Sequence, residues 1–174
     1  MNARPSGDVV IRPGRAEDLS ALAAIERSGA ETFARHGLPL ADGSPPAPAA
    51  QWAAALSAGL LWIAEHPIDG PVGFLAGELA DGALHILEID VVMAHQRRGC
   101  GRRLMQAAIA CAQARVLAGV TLTTFRSVPW NAPFYASLGF AVLDPADLPP
   151  SLAAALADEA ARGFEDRCGM RLRV

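Results

Sequence analysis

Gln96-Arg97-Arg98-Gly99-Cys100-Gly101-Arg102-Arg103-Leu104 follows an apolar, strand-like run and opens a periodic helical one, so a strand, a turn on two glycines and a helix succeed one another here. That order builds a backbone cradle for phosphates. The first amides of a helix have no intrahelical partner, and together with the helix dipole they attract anions. Gly99 and Gly101 let the backbone approach a bulky diphosphate that a Cβ would hold off. Arg97, Arg98, Arg102 and Arg103 add bidentate donors suited to phosphate oxygens.

Two common phosphate loops do not fit. A Walker-type loop requires Lys after its last glycine, and the chain contains no lysine. A dinucleotide fingerprint requires Gly or Ala where Leu104 stands and an acid about where Thr121 falls. The glycine spacing therefore argues against a kinase or a nucleotide-dependent oxidoreductase.

Gln96, Gly99 and Gly101 do fill the acyl-CoA loop pattern of the GNAT superfamily of N-acyltransferases, which this segment resembles. Leu84 to Met93 supplies the strand before it, and Arg102 to Leu117 the helix after it. Trp130-Asn131-Ala132-Pro133-Phe134-Tyr135-Ala136-Ser137-Leu138-Gly139-Phe140 resembles the superfamily's second signature, with one strand between the two motifs. The resemblance implies an α/β fold with a mixed, mostly antiparallel sheet of about seven strands, helices on both faces, and acetyl-CoA as acyl donor to a primary amine. It also implies that Tyr135 serves the CoA sulfur, that the pantetheine arm lies along Val91, Val92 and Met93, and that Asn131 and Phe134 contact the cofactor. The diphosphate would sit on Gln96, Arg97, Arg98, Gly99, Cys100, Gly101, Arg102 and Arg103. Asn131 also reads as a helix N-cap, with Pro133 in the first turn.

The remaining chain reads as one domain over residues 1–174, a length that can bury an adequate core. Strands are expected at Val9–Arg12, Leu60–Glu65, Val72–Leu79, Ala83–Met93, Val120–Phe125, Phe140–Leu143 and Gly169–Val174. A helix opens at Arg15–Leu19, a second helical piece covers Ala30–Arg35, and further helices cover Gln51–Ala58, Asn131–Leu138 and Pro150–Arg162. Four prolines between Gly37 and Ala49 predict an irregular loop.

With 15 basic and 18 acidic residues the chain lacks the basic excess of a general nucleic-acid binder. No apolar run approaches the length of a membrane span, and the N-terminal residues lack a signal-type apolar core, so no membrane partner and a cytoplasmic location are expected. Cys100, Cys111 and Cys168 lack metal-ligand spacing, and no metal is expected. His36, His66, His85 and His95 have no fixed partner in the sequence and read as structural. The C-terminal strand offers an edge that leaves a homodimer open.

Acetyl transfer to an amine needs a base, because an ammonium is not a nucleophile. Glu88 and Asp90 lie two apart on a strand and share a face, with Ile86 and Val92 expected beside them and Leu87, Ile89 and Val91 opposite. Burial and mutual repulsion would raise at least one of these acids towards neutrality. Some superfamily members carry a glutamate on the strand after the loop helix. Thr124 stands about there, which places the base at Glu88 or Asp90. Phe33 and Trp130 are candidate acceptor contacts, with Trp52 assigned to the core. A non-catalytic acyl-CoA sensor is the alternative, though it could dispense with Tyr135, Glu88 and Asp90.

Overall fold

The computed structural model describes residues 8–36, 47 and 49–174. Its elements are β1 (Val10–Pro13), α1 (Leu19–Arg35), α2 (Ala49–Ser57), β2 (Leu61–His66), β3 (Gly70–Ala80), β4 (Ala83–Val91), α3 (Cys100–Ala114), β5 (Val120–Phe125), α4 (Ala132–Ala136), β6 (Ala141–Val142), α5 (Pro150–Ala161) and β7 (Arg167–Leu172). The strands form one seven-stranded sheet in the order β1-β2-β3-β4-β5-β7-β6. Every neighbouring pair is antiparallel except β4 and β5. The mixed, mostly antiparallel sheet expected from the sequence is present.

Strand alternation sorts the core into two clusters. On and just before β2, Leu60, Trp62 and Ala64 pack towards α3, whereas Leu61 and Ile63 pack towards α1 and α2. Val72 and Leu75 of β3 join the first group, Phe74 and Ala76 the second. A Cβ on Gly169 of β7 would press on Leu148 and Leu152, which puts α5 on the α1 side. Helices therefore cover both faces, as apolar residues on both sides of central strands require.

Several boundaries differ from the sequence reading. Residues 19–35 form one helix, not two pieces, because Gly29 packs against β4 and carries the helix through. The loop helix starts at Cys100 and stops at Ala114, where Arg115 caps it and Val116 turns to φ 54°. The helix expected over Asn131–Leu138 is a short one, and β7 begins two residues earlier than expected. β7 lies between β5 and β6, so the C-terminal strand is interior and β6 is the edge. Most of the expected proline-rich loop lies outside the described residues.

Two irregularities in β4 shape everything that follows. Ala76 faces Glu88 but Gly77 faces Ile86, so Leu87 is an unopposed bulge. The bulge resets the alternation: Ile86 packs on the α3 side with Ile89 and Val91, and Leu87 packs on the α1 side. The expected company of Ile86 with Glu88 and Asp90 is thereby corrected. The second irregularity is that β4 pairs with β5 only at Leu84–Val120 and His85–Thr121. Beyond these pairs β5 stays with β7, and the two parallel strands part.

Arg12 locks the other end of the sheet, binding Asp18 through both terminal nitrogens at 2.8 Å and reaching Glu65 on β2. The Arg12 hydrogen bond holds the buried Asp18 carboxyl below its ordinary range. A depressed acid stabilises the fold above its unfolded pKa, and this stabilisation is lost as pH falls through the folded value. Arg12→Leu strands the buried carboxylate and is expected to cost roughly 3–5 kcal/mol near neutral pH. Urea unfolding should show that deficit shrinking as pH falls below the usual carboxylate range of about 4.

Candidate active site

α3 begins where the sequence places its phosphate cradle. Gly99 takes a left-handed φ of 83° as the N-cap, and Arg103 is the first residue to donate back, to the Gly99 carbonyl at 3.0 Å. The amides of Cys100, Gly101 and Arg102 therefore stand at the open end of the helix. Arg97, Arg98, Arg102 and Arg103 are exposed around it. Cys100 is different, because its side chain is buried in the core beneath α3 and only its backbone belongs to the cradle.

The second motif folds onto this helix end. A Cβ on Gly101 would touch the Phe134 ring at 3.8 Å, and Arg102 donates to Ser137 Oγ at 2.8 Å. Tyr135 stacks edge-on between Phe134 and Phe140, with ring centroids 5.1 and 6.0 Å away. Its hydroxyl makes no hydrogen bond among the described residues. Asn131 occupies the N-cap of α4, yet its side chain makes no capping bond.

On the α1 side of β4 stand Glu88 and Asp90, beyond the two pairs at which β4 meets β5. The Asp90 carboxylate lies so close over Gly29 of α1 that any Cβ there would overlap it. Glu26, one turn earlier on α1, adds a third acid, which accepts from the Ala47 amide at 3.1 Å. Among the described residues Glu88 accepts only the amide of its neighbour Ile89, at 3.3 Å. Loss of water and then the Glu26 charge push Glu88 up to about 7. Asp90 is raised well above the carboxylate range by burial, then by Glu88 and Glu26. The pair thus loses its protons one at a time. Burial, then Glu88 and Asp90, also raises Tyr135, so this phenol holds its proton firmly.

The expected strand edge along Val91–Met93 is partly occupied by side chains of the chain itself. Gln96 Nε2 donates to the Val91 carbonyl at 2.9 Å while its Oε1 accepts from Thr32, so its amide braces β4 against α1. Ser28 Oγ accepts from the Met93 amide at 3.1 Å. Val92 turns its amide to Val72 on the neighbouring strand and presents none to the gap.

Aromatic side chains wall the far end. Phe33 of α1 contacts Phe125 and Trp130, both at 5.8 Å between centroids, and His36 packs on Trp130 at 4.5 Å. Trp130 Nε1 is buried without an acceptor among the described residues. Trp52 lies elsewhere, in the core against Phe74, as expected. Behind Phe125, Arg167 stacks on the ring at 4.5 Å and pairs with Glu159 at 2.8 Å. Thr124 is buried, while Thr123 donates to Glu159. Glu26, Ser28 and Thr32 had not been singled out. Glu26 had left a signal, since an acid one turn beyond Leu22 falls on the stripe that carries Ile25 and Gly29.

A family model for the acetyltransferase (GNAT) domain matches residues 57–142, the span holding both motifs. Residues 57–142 carry a GNAT acetyltransferase domain. Solved GNAT-type structures share the fold at low identity. Rv2747 from Mycobacterium tuberculosis, in complex with CoA, superposes with a TM-score of 0.71 at 18% identity, over 95% of this chain and 99% of that one. The ribosomal-protein-S18-alanine N-acetyltransferase from Escherichia coli gives 0.68 at 19% identity, over 95% and 94% of the two chains. N-acetylglutamate synthase from Neisseria gonorrhoeae, complexed with CoA and N-acetyl-glutamate, gives 0.68 at 17% identity. There the match covers 95% of this chain but only 35% of the synthase, so this chain spans about a third of that protein's length. No described helix is long and apolar enough to cross a membrane.

An acid whose folded pKa is raised contributes most when protonated, and its charge costs stability as pH rises through the folded value. Glu88→Gln removes that charge. Its melting temperature should match wild type near pH 4, exceed it by a margin that grows as pH rises towards about 7, and hold that margin above, as thermal unfolding across that range would show.

Proposed function

We propose that this protein transfers an acetyl group from acetyl-CoA to the amine of a cationic small molecule or peptide, by direct attack within a ternary complex. The observation that carries the reading is a chain of neighbours: Phe134 packs at Gly101 of the open helix end, Tyr135 stacks on Phe134, and Tyr135 feels the charges of the raised carboxyls Glu88 and Asp90. The donor's diphosphate rests on the helix end and the exposed arginines, and its arm enters where β4 and β5 part. Asn131 and Phe134 border that entry.

Each demand of the chemistry has a residue beside it. The acceptor ammonium loses a proton to Glu88, directly or through water, and Glu88 is tuned near neutrality for that task. The new N–C bond forms as the C–S bond breaks, Tyr135 hydrogen-bonds the departing thiolate, and the second proton shed by the nitrogen leaves with that thiolate as the CoA thiol. Moving the phenolic proton fully to a thiolate of ordinary pKa would be uphill by more than about 2 kcal/mol, so the hydrogen bond itself is what Tyr135 supplies. Glu26, Glu88 and Asp90 make the acceptor side acidic, and Phe33, Phe125 and Trp130 give it aromatic faces. Such a cleft favours acceptors with more than one positive charge and disfavours those with a free carboxylate. Nucleic acid is a poor partner for it. We further assign residues 1–174 to one catalytic domain acting in the cytoplasm, and any homodimer contact to the β6 edge.

Calorimetric titration with acetyl-CoA, followed by thiol release across polyamines, aminoglycosides, peptide α-amines and free amino acids, tests the proposal. Polycations are expected to be used best. Glu88→Gln should lower kcat/KM by about 10²–10⁴-fold, and Tyr135→Phe should lower kcat with little change in acetyl-CoA affinity. The wild-type kcat/KM should rise with pH and level off above about 7. Binding without release on any amine would replace this reading with the acyl-CoA sensor.

A further inference from the structure

His66 ends β2, Asp69 lies in the turn before β3, and His95 closes the single turn Met93–His95 that precedes the phosphate loop. Fold and turn bring three ligand-type side chains together. Asp69 Oδ2 lies 2.9 Å from His95 Nε2 and 3.3 Å from His66 Nδ1, and the two rings pack at 4.8 Å. Both histidines are buried and Asp69 is part-exposed, so the cluster is anchored in the protein but open to solvent on one side. The sequence alone gives neither histidine a partner.

His66 Nδ1 accepts the amides of Ile68 at 3.4 Å and Asp69 at 3.2 Å, both long contacts. The same nitrogen faces a carboxylate oxygen at 3.3 Å, which sets two acceptors against each other. A cation between them, taking the Nδ1 lone pair from the two long amide contacts, turns that repulsion into coordination. Tetrahedral zinc, with bonds of about 2.0–2.1 Å, separates its ligand atoms by roughly 3.3 Å. The three candidate atoms here all lie within 4.8 Å of one another.

We propose that His66, Asp69 and His95 bind a divalent transition-metal ion of the zinc class, with water completing the shell on the exposed side. Two imidazoles and one carboxylate suit Zn²⁺, Co²⁺ or Ni²⁺ and are a poor set for Mg²⁺ or Ca²⁺. The ion acts as a clamp. It ties the β2–β3 turn to the residue immediately before Gln96, and so fixes where the phosphate loop begins. The site is separate from Glu88, Asp90 and Tyr135, and it stands or falls independently of the acetyl-transfer reading.

The test uses the full chain after chelator treatment, titrated with Zn²⁺ by calorimetry in a non-coordinating buffer, with Co²⁺ as a coloured probe. One equivalent should bind, give visible Co²⁺ absorption and raise the melting temperature. Asp69→Asn and His95→Gln should each weaken binding by at least about tenfold, and His36→Gln should bind as wild type does. Asp69→Asn is the decisive variant, because its part-exposed position leaves folding intact, which circular dichroism would verify. Absence of saturable binding, or binding unchanged in Asp69→Asn and His95→Gln, would overturn the site and leave a hydrogen-bonded clamp without metal.

Discussion

The parting of β4 and β5 is the constraint on which the rest of the structure depends. Parallel neighbours normally stay in register along their length, but these two share only the pairs Leu84–Val120 and His85–Thr121. The base of the fork is firmly made. Leu84 donates to the Gly119 carbonyl at 3.0 Å, and His85 hydrogen-bonds Thr121 at 3.1 Å. Gly119 takes φ 155° there, and a Cβ would run into the Leu172 carbonyl, so only glycine lets β5 start beside both β4 and β7. With the base fixed, β5 follows β7 and β4 follows β3. The gap opens at the carboxyl ends of parallel strands, where α/β sheets generally receive ligands.

That gap separates charge. The arginines cluster at the α3 helix end, whereas Glu26, Glu88 and Asp90 cluster on the α1 side. Neither group neutralises the other, which is costly for the carboxyls, because buried acids favour the folded state only when they are paired or protonated. Arg167 is the basic residue close enough to lower Glu88, but Glu159 and Thr123 already hold it. The result is a carboxyl near neutrality beside a phenol that keeps its proton. An ordinary core would not retain such a pair, and a stability penalty concentrated in a cleft is what a catalytic site carries.

The elements were legible where chemistry is local. Alternation gave the strands, and the two glycines marked the start of α3, because these features depend on nearest neighbours. The β4 bulge left no such mark: Ile86 to Asp90 reads as an unbroken alternation, and only pairing with Ala76 and Gly77 makes Leu87 the extra residue. The acids still fell on the right strand, but Ile86 was put on the wrong face. Glu26 was visible in principle as an acid on an apolar stripe. His66 and His95 were not, since 28 positions of chain separate them and only the sheet brings the β2 end beside the turn after β4.

A strand edge left open inside a sheet is a hazard as well as an opportunity, because unpaired backbone groups invite any extended chain to add itself. Gln96 and Ser28 blunt that edge by taking the Val91 carbonyl and the Met93 amide. On the proposed function the pantetheine arm must displace these side chains or bond elsewhere along β4. Exchanging one hydrogen bond for another yields little net free energy. Affinity for the donor must then come chiefly from the diphosphate end, through the open amides of α3 and its arginines. This accounts for four arginines within seven residues of a chain whose net charge is negative. It also leaves the arm loosely held until the thioester reaches Tyr135, so that binding energy is spent at the anchor and the reacting carbon is positioned last.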